Sequence, residues 1–223
     1  MNFESWFRMV TGQYPYPYQA LLATGKDLPD LLSIPTGAGK TAAVVLGWLW
    51  RRRFAAEHAR TSTPRRLVFC LPMRSLVEQT VRSAEAWLGR ARLEHPLVVH
   101  ALLGGAVDDR WDLAPTEDAI LVGTQDMLLS RALGRGYAMS RFRWPWHFGL
   151  LNNDCLWVMD EVQLMGPGLT TSAQLQGLRE RLGTALPART LWMSATLGAG
   201  KLATVDLRER PLTRLELQAD DRE

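Results

Sequence analysis

Apolar residues gather in short, β-branched or leucine-rich runs separated by longer stretches with helical spacing. The runs at 31–34, 67–71, 97–101, 120–122, 155–159 and 190–193 are nearly continuous rather than alternating. That is the pattern of strands buried on both faces of a sheet. Between them, 41–53, 75–88, 125–133 and 170–182 carry apolar residues at helical spacing and are expected to be helices. Alternation of the two gives right-handed βαβ units, hence an α/β fold with a mostly parallel sheet flanked by helices. Each strand candidate is followed at once by small, polar or turn-forming residues: 35–41, 72–75, Gly104-Gly105, Gly123-Thr124, Asp160-Glu161 and Ser194-Ala195-Thr196. In a parallel sheet these loops share the carboxyl rim, where open α/β sheets bind ligands.

Residues 134–153 break the rhythm. They hold Arg135, Arg141, Arg143, His147 and the rings of Tyr137, Phe142, Trp144, Trp146 and Phe148, and an irregular insertion is expected there. Two readings stay open: an aromatic flap packed over the sheet edge, or a nucleic-acid contact, because arginines interleaved with rings can stack on bases.

With 223 residues, 47% hydrophobic and 22% charged, the chain makes one large domain at roughly 100–200 residues per domain. A disordered chain, a fibrous repeat and a coiled-coil rod are excluded. Cys70 and Cys155 sit inside apolar runs and read as reduced core residues of a cytoplasmic protein. No apolar run approaches the roughly 18 residues of a membrane span, and the first residues lack the pattern of a secretory signal. The net charge of +3 is uneven. Residues 51–92 hold ten arginines against three glutamates, whereas 205–223 is acidic. A basic stretch suggests an anionic partner, and a solvated set of helix faces explains it equally.

Residues 35–41 read PTGAGKT. Gly37 and Gly39 let the backbone curl so that the N–H groups of Thr36, Gly37, Ala38 and Gly39 face phosphate oxygens. Lys40 reaches the outer phosphates, and the Thr41 hydroxyl ligates magnesium. The helix that follows adds its positive end. Ile34 stands where the strict phosphate-loop pattern has glycine. A second motif, Asp160-Glu161-Val162-Gln163, follows an apolar run. Adjacent acids are costly to hold close without a cation between them. In a phosphate-loop enzyme the first holds Mg²⁺ and the second orients the attacking water.

PTGAGKT, DEVQ and the Ser194–Thr196 triplet, in that order, resemble the first RecA-like lobe of a superfamily 2 helicase. The resemblance spans nearly the whole chain and implies an ATP-dependent enzyme. It implies that Tyr18-Gln19 is the adenine-reading glutamine motif within an N-terminal region 1–30. By the same resemblance Lys40, Asp160 and Glu161 serve catalysis, and Gln163, Ser194 and Thr196 couple hydrolysis to movement. Arg74, Gly104, Gly105 and Thr124 would contact a nucleic-acid backbone. Within the superfamily, YPYPYQ, FGLLNNDCLWVMDEVQLMG and LWMSATL resemble the CRISPR-associated helicase of type I interference systems, in its DEVQ variant. That family implies ATP and Mg²⁺, single-stranded DNA, a guide-RNA surveillance complex and a second RecA-like lobe as partners. The lobe would span 1–204, with 205–223 beginning the inter-lobe linker. His58, His95, His100 and His147 form no His-Asp doublet, so no nuclease metal site is assigned. Other superfamily 2 RNA helicases, restriction-type translocases and a non-catalytic nucleotide-binding module share these motifs.

Overall fold

The computed structural model describes every residue except Gly105, Asp108, Tyr137, Ala138, 196–201, Ala203, Val205, 208–210 and 217–223. The strands are β1 (Leu31–Ser33), β2 (Arg66–Leu71), β3 (Val98–Leu103), β4 (Ala106–Val107), β5 (Ala119–Thr124), β6 (Cys155–Met159), β7 (Ala188–Ser194) and β8 (Arg214–Glu216). The helices are α1 (Phe3–Thr11), α2 (Pro17–Thr24), α3 (Lys40–Arg53), α4 (Glu57–Ser62), α5 (Arg74–Arg90), α6 (Gln125–Ala132), α7 (Trp144–Asn152) and α8 (Pro167–Leu182). The strands form one sheet in the order β4-β3-β5-β2-β6-β7-β1-β8. Among the described residues only the β3–β4 pair is antiparallel.

The continuous apolar runs are explained by a core on each face of the sheet. Successive residues of a strand point to opposite faces. Leu67, Phe69 and Leu71 of β2 join a core built with α1, α2, α3 and α5. Val68 and Cys70 join one built with α6, α7 and α8. β6 divides the same way, Leu156 and Val158 against Cys155, Trp157 and Met159. All six strands and four helices read from the pattern are present, which makes the chain a RecA-like α/β domain.

Three regions differ from expectation. α1 forms because Asn2 accepts the Ser5 N–H as N-cap, Gly12 ends the helix at φ 84°, and Phe3, Trp6, Phe7 and Val10 line one buried face. That spacing of three and four residues is the mark of an amphipathic helix. Residues 134–153 are not irregular throughout: a 3-10 turn at Arg141–Arg143 leads into α7, with Pro145 in its first turn. Asp112 pins this element. Its carboxylate takes the Arg143 guanidinium at 2.5 Å and faces His147 Nε2 at 2.9 Å, and its carbonyl accepts the Trp146 indole N–H. Finally, residues 214–216, assigned in sequence to a linker, form β8 parallel to β1 at the sheet edge. Asp30 holds them there, accepting the Thr213 N–H and hydroxyl at 2.9 Å each.

Candidate functional site

β7 lies between β1 and β6. The loop after β1, Ser194 at the end of β7 and Asp160 after β6 therefore meet on the carboxyl rim. Gly37 and Gly39 adopt φ 84° and 77°, left-handed values that favour glycine. A side chain at Gly39 would also strike the Gln19 amide, at 2.7 Å. α3 starts at Lys40, so its N-terminal end faces the loop. A cavity of about 390 Å³ opens here, lined by Thr36, Gly37, Gly39, Lys40, Thr41, Asp160 and Glu161 on one side and by α5 on the other.

Lys40 is buried and folded back on its own loop. Its Nζ donates to the Ile34 carbonyl at 3.1 Å and the Pro35 carbonyl at 3.3 Å, and lies 4.0 Å from Glu161 Oε1. Asp160 is also buried. Burial first, and the neighbouring Glu161 second, push its carboxyl up to about 6, opposed by the Glu161 N–H and by Lys40. Glu161 sits at φ 51°, a left-handed conformation unusual for a side-chain-bearing residue. Its N–H donates to Asp160 Oδ1 at 2.8 Å. The Gln163 amide donates to the Glu161 carboxylate and accepts the Ser194 hydroxyl at 2.8 Å. Ser194, Gln163, Glu161 and Lys40 are thus linked side chain to side chain. Thr196 lies outside the described residues.

Gln19, expected to read adenine, has both ends of its amide engaged within the fold. It is 2% exposed. Its Oε1 accepts the Tyr16 N–H at 2.9 Å, capping α2, and its Nε2 donates to the Gly39 carbonyl at 3.0 Å. The adjacent Tyr18 hydroxyl donates to the Ala38 carbonyl, and burial raises its pKa. Both side chains brace the phosphate loop from below. Tyr16, stacked on Tyr18, stays half-exposed.

These residues fit a magnesium triphosphate. A buried carboxylate beside a second acid lacks a full counter-charge, and the loop offers curled backbone, a lysine and a hydroxyl. The described residues contain no group of three or more His, Cys, Asp or Glu side chains placed to hold a metal. Mg²⁺ at nucleotide sites needs only one or two carboxylates together with the substrate's phosphates.

The rim continues over β2, β5 and β3. Arg74 opens α5 and pairs with Glu78 at 2.9 Å. Gly104 is exposed after β3, Thr124 ends β5 and caps α6, and Gly105 lies outside the described residues. Much of the basic excess of 51–92 is consumed inside the fold. Arg51 donates to the carbonyls of Leu22, Gly25 and Lys26, and Arg66 to those of Pro115, Leu150 and Asn153. Arg52 and Arg53 pair with Asp118. Sequence reasoning missed Gln79, Thr80 and Ser83 of α5, which line the cavity. Their signal was a polar strip with helical spacing on a helix that otherwise packs.

The sequence pattern of the DEAD/DEAH box helicases matches residues 18–205. Among solved structures, S. cerevisiae Dbp5 bound to RNA and ADP BeF3 is 16% identical with a TM-score of 0.58, covering 99% of this chain and 50% of that one. The DUF1998 helicase MrfA bound to DNA is 15% identical with a TM-score of 0.64, covering 96% and 29%. The Pyrococcus furiosus Hef helicase domain is 20% identical with a TM-score of 0.59, covering 93% and 39%. The chain therefore spans half or less of each of these proteins. No curated protein matches it in sequence. With the family pattern covering most of its length and the phosphate loop meeting the acidic pair on one rim, the chain belongs to the DEAD/DEAH box helicase family.

Proposed function

We propose that the chain is the ATP-binding lobe of an ATP-driven DNA translocase of the kind that serves CRISPR type I interference. The observation that carries the enzymatic part is the connected line from Ser194 through Gln163 and Glu161 to Lys40. It joins the residue proposed to act on water to the end of β7, which shares the carboxyl rim with the phosphate loop. The CRISPR assignment rests on YPYPYQ, the long DEVQ segment and LWMSATL.

Thr41 and Asp160 would hold Mg²⁺, and the N–H groups of residues 36–39 would hold the phosphates. The bound magnesium triphosphate supplies the leaving group and the charge that organises the site. Lys40 exchanges the Ile34 and Pro35 carbonyls for phosphate oxygens. Glu161, kept in place by Gln163 and its own left-handed backbone, orients water and takes its proton. A second RecA-like lobe would supply an arginine finger, worth about 10³–10⁵ in rate. Arg74, Gly104, Gly105 and Thr124 would carry the backbone of a single DNA strand without reading its sequence. A guide-RNA surveillance complex in the cytoplasm would deliver that strand. Among the described residues, no helix is long and apolar enough to cross a membrane.

The test uses a longer protein in which this chain is joined to a second RecA-like lobe. Glu161→Gln should keep ATP affinity while DNA-stimulated hydrolysis falls by about 10²–10⁴. A strand displaced by the guide-RNA complex should stimulate the wild type. Undiminished turnover in Glu161→Gln contradicts the assignment of the base. Stimulation by RNA alone contradicts the assignment of the substrate.

A further inference from the structure

The outward face of α7 leaves large rings exposed, with the Trp146 indole N–H held by the Asp112 carbonyl. The helix is apolar all round, a composition suited to a helix buried on every side. Here only His147 and Leu151 are fully buried. Phe142, in the turn before it, is 83% exposed, Trp146 52% and Phe148 48%. Helical spacing sets Phe142, Pro145, Trp146 and Gly149 along one face, and Phe148, two residues after Trp146, lies on the flank toward Gly134. Gly149 keeps the strip low, since a side chain there would meet open space.

Within residues 127–153 the charge has one sign, with four arginines and no acid. Arg131 is buried and Arg143 is committed to Asp112. Arg135 and Arg141 are exposed, with the Arg141 guanidinium 5.4 Å from the centroid of the Phe142 ring.

A groove connects this face to the rim. It lies between α6 and α8, measures about 670 Å³, and runs from Gln125 and Asp126 past Leu129 to Leu133. Gly134 follows, and a side chain there would touch the Phe148 ring at 3.8 Å. The start of the groove adjoins Thr124, so the groove continues the line of rim loops. Its walls at Leu129, Leu133 and Met165 are apolar, and Asp126, at the rim end, is the one acid lining it.

We propose that this groove and the outward face of α7 form a second contact for a single DNA strand, continuous with the rim. Bases stack on Phe142, Trp146 and Phe148, and phosphates meet Arg135 and Arg141. Rings on a positive surface are the two ingredients of sequence-tolerant single-strand binding, because every base has a π-face. The exposed residues of α7 are rings and a proline, which suits bases better than the aliphatic face of a partner helix. The proposal rests on the reading that the rim holds DNA, and the test separates the two.

Fluorescence anisotropy on the 223-residue chain, with labelled oligothymidylate of about twenty nucleotides, compares the wild type with Phe142→Ala, Phe142→Tyr, Trp146→Ala and the rim variant Thr124→Ala. Each ring deletion should weaken binding about tenfold, Phe142→Tyr should bind like the wild type, and affinity for an ATP analogue should not move. Melting curves confirm that these exposed positions leave the fold intact. Wild-type affinity in both ring deletions, with loss only in Thr124→Ala, overturns the second contact and keeps the rim. Affinity insensitive to all variants, or no binding by the wild type, overturns both. A self-association abolished by Trp146→Ala, without any DNA effect, would instead assign the face to a second copy of the chain.

Discussion

At the scale of single residues, the site is tied together by side-chain hydrogen bonds. Lys40 is buried against the Ile34 and Pro35 carbonyls, so phosphates compete with an internal partner for it. Gln163 touches both Glu161 and Ser194. Removing it should loosen the water-orienting carboxylate without touching the phosphate loop. Gln163→Ala in the longer protein should therefore lower the hydrolysis rate about tenfold or more, an activation loss of roughly 1.4 kcal/mol, with ATP affinity kept. Steady-state kinetics beside equilibrium titration checks this. Equal losses in rate and affinity would mean that Gln163 supports the loop rather than Glu161.

At the scale of elements, legibility followed locality. The six strands read from apolar runs and the helices after them announce themselves through short-range periodicity, although β3 is buried only at Leu102 and Leu103. α1 was also legible in principle, since Asn2, Gly12 and the spacing of Phe3, Trp6, Phe7 and Val10 are all local signals. α7 was not, because it has no polar stripe and its position depends on Asp112, distant in sequence. The motif residues of the site were legible as types and spacings. The folding back of Lys40, the burial of the Gln19 amide and the use of Arg51 and Arg66 inside the fold depend on tertiary neighbours, and were not. The α7 anchor also makes a pH prediction. Burial lowers the His147 pKa from its ordinary 6.5, with Arg131 and Arg143 adding to the shift and Asp112 opposing it. The unfolded chain therefore binds a proton near 6.5 that the folded one resists. This stabilising share is present above the unfolded pKa and is lost as pH falls below it. Denaturant titrations between about pH 7.5 and pH 5.5 should show a steeper loss in the wild type than in His147→Gln. Parallel slopes would exclude His147 as the source.

For the whole molecule, several arginines are structural: Arg51, Arg66, Arg131 and Arg179 are buried. Arg66 ties the start of β2 to Pro115, Leu150 and Asn153, so Arg66→Ala leaves three carbonyls short of a donor. That should cost about 3 kcal/mol in denaturant titration, against less than about 1 kcal/mol for the exposed Arg74–Glu78 pair. A similar cost for Arg66→Ala and Arg74→Ala would refute this division. The same contacts explain why only part of the basic stretch is surface: Arg60, Arg74, Arg82, Arg90 and Arg92 are exposed, while Arg51 and Arg66 are buried. β1, β7 and β6 bring PTGAGKT and the acidic pair together on one rim, the proposed magnesium triphosphate site. The most direct test of that site is calorimetric titration of the 223-residue chain with a non-hydrolysable ATP analogue and Mg²⁺, wild type against Lys40→Ala. Loss of a charge-assisted contact of about 1.5–3 kcal/mol predicts affinity roughly ten- to hundredfold weaker in the variant. Equal affinity in the two proteins would contradict the account.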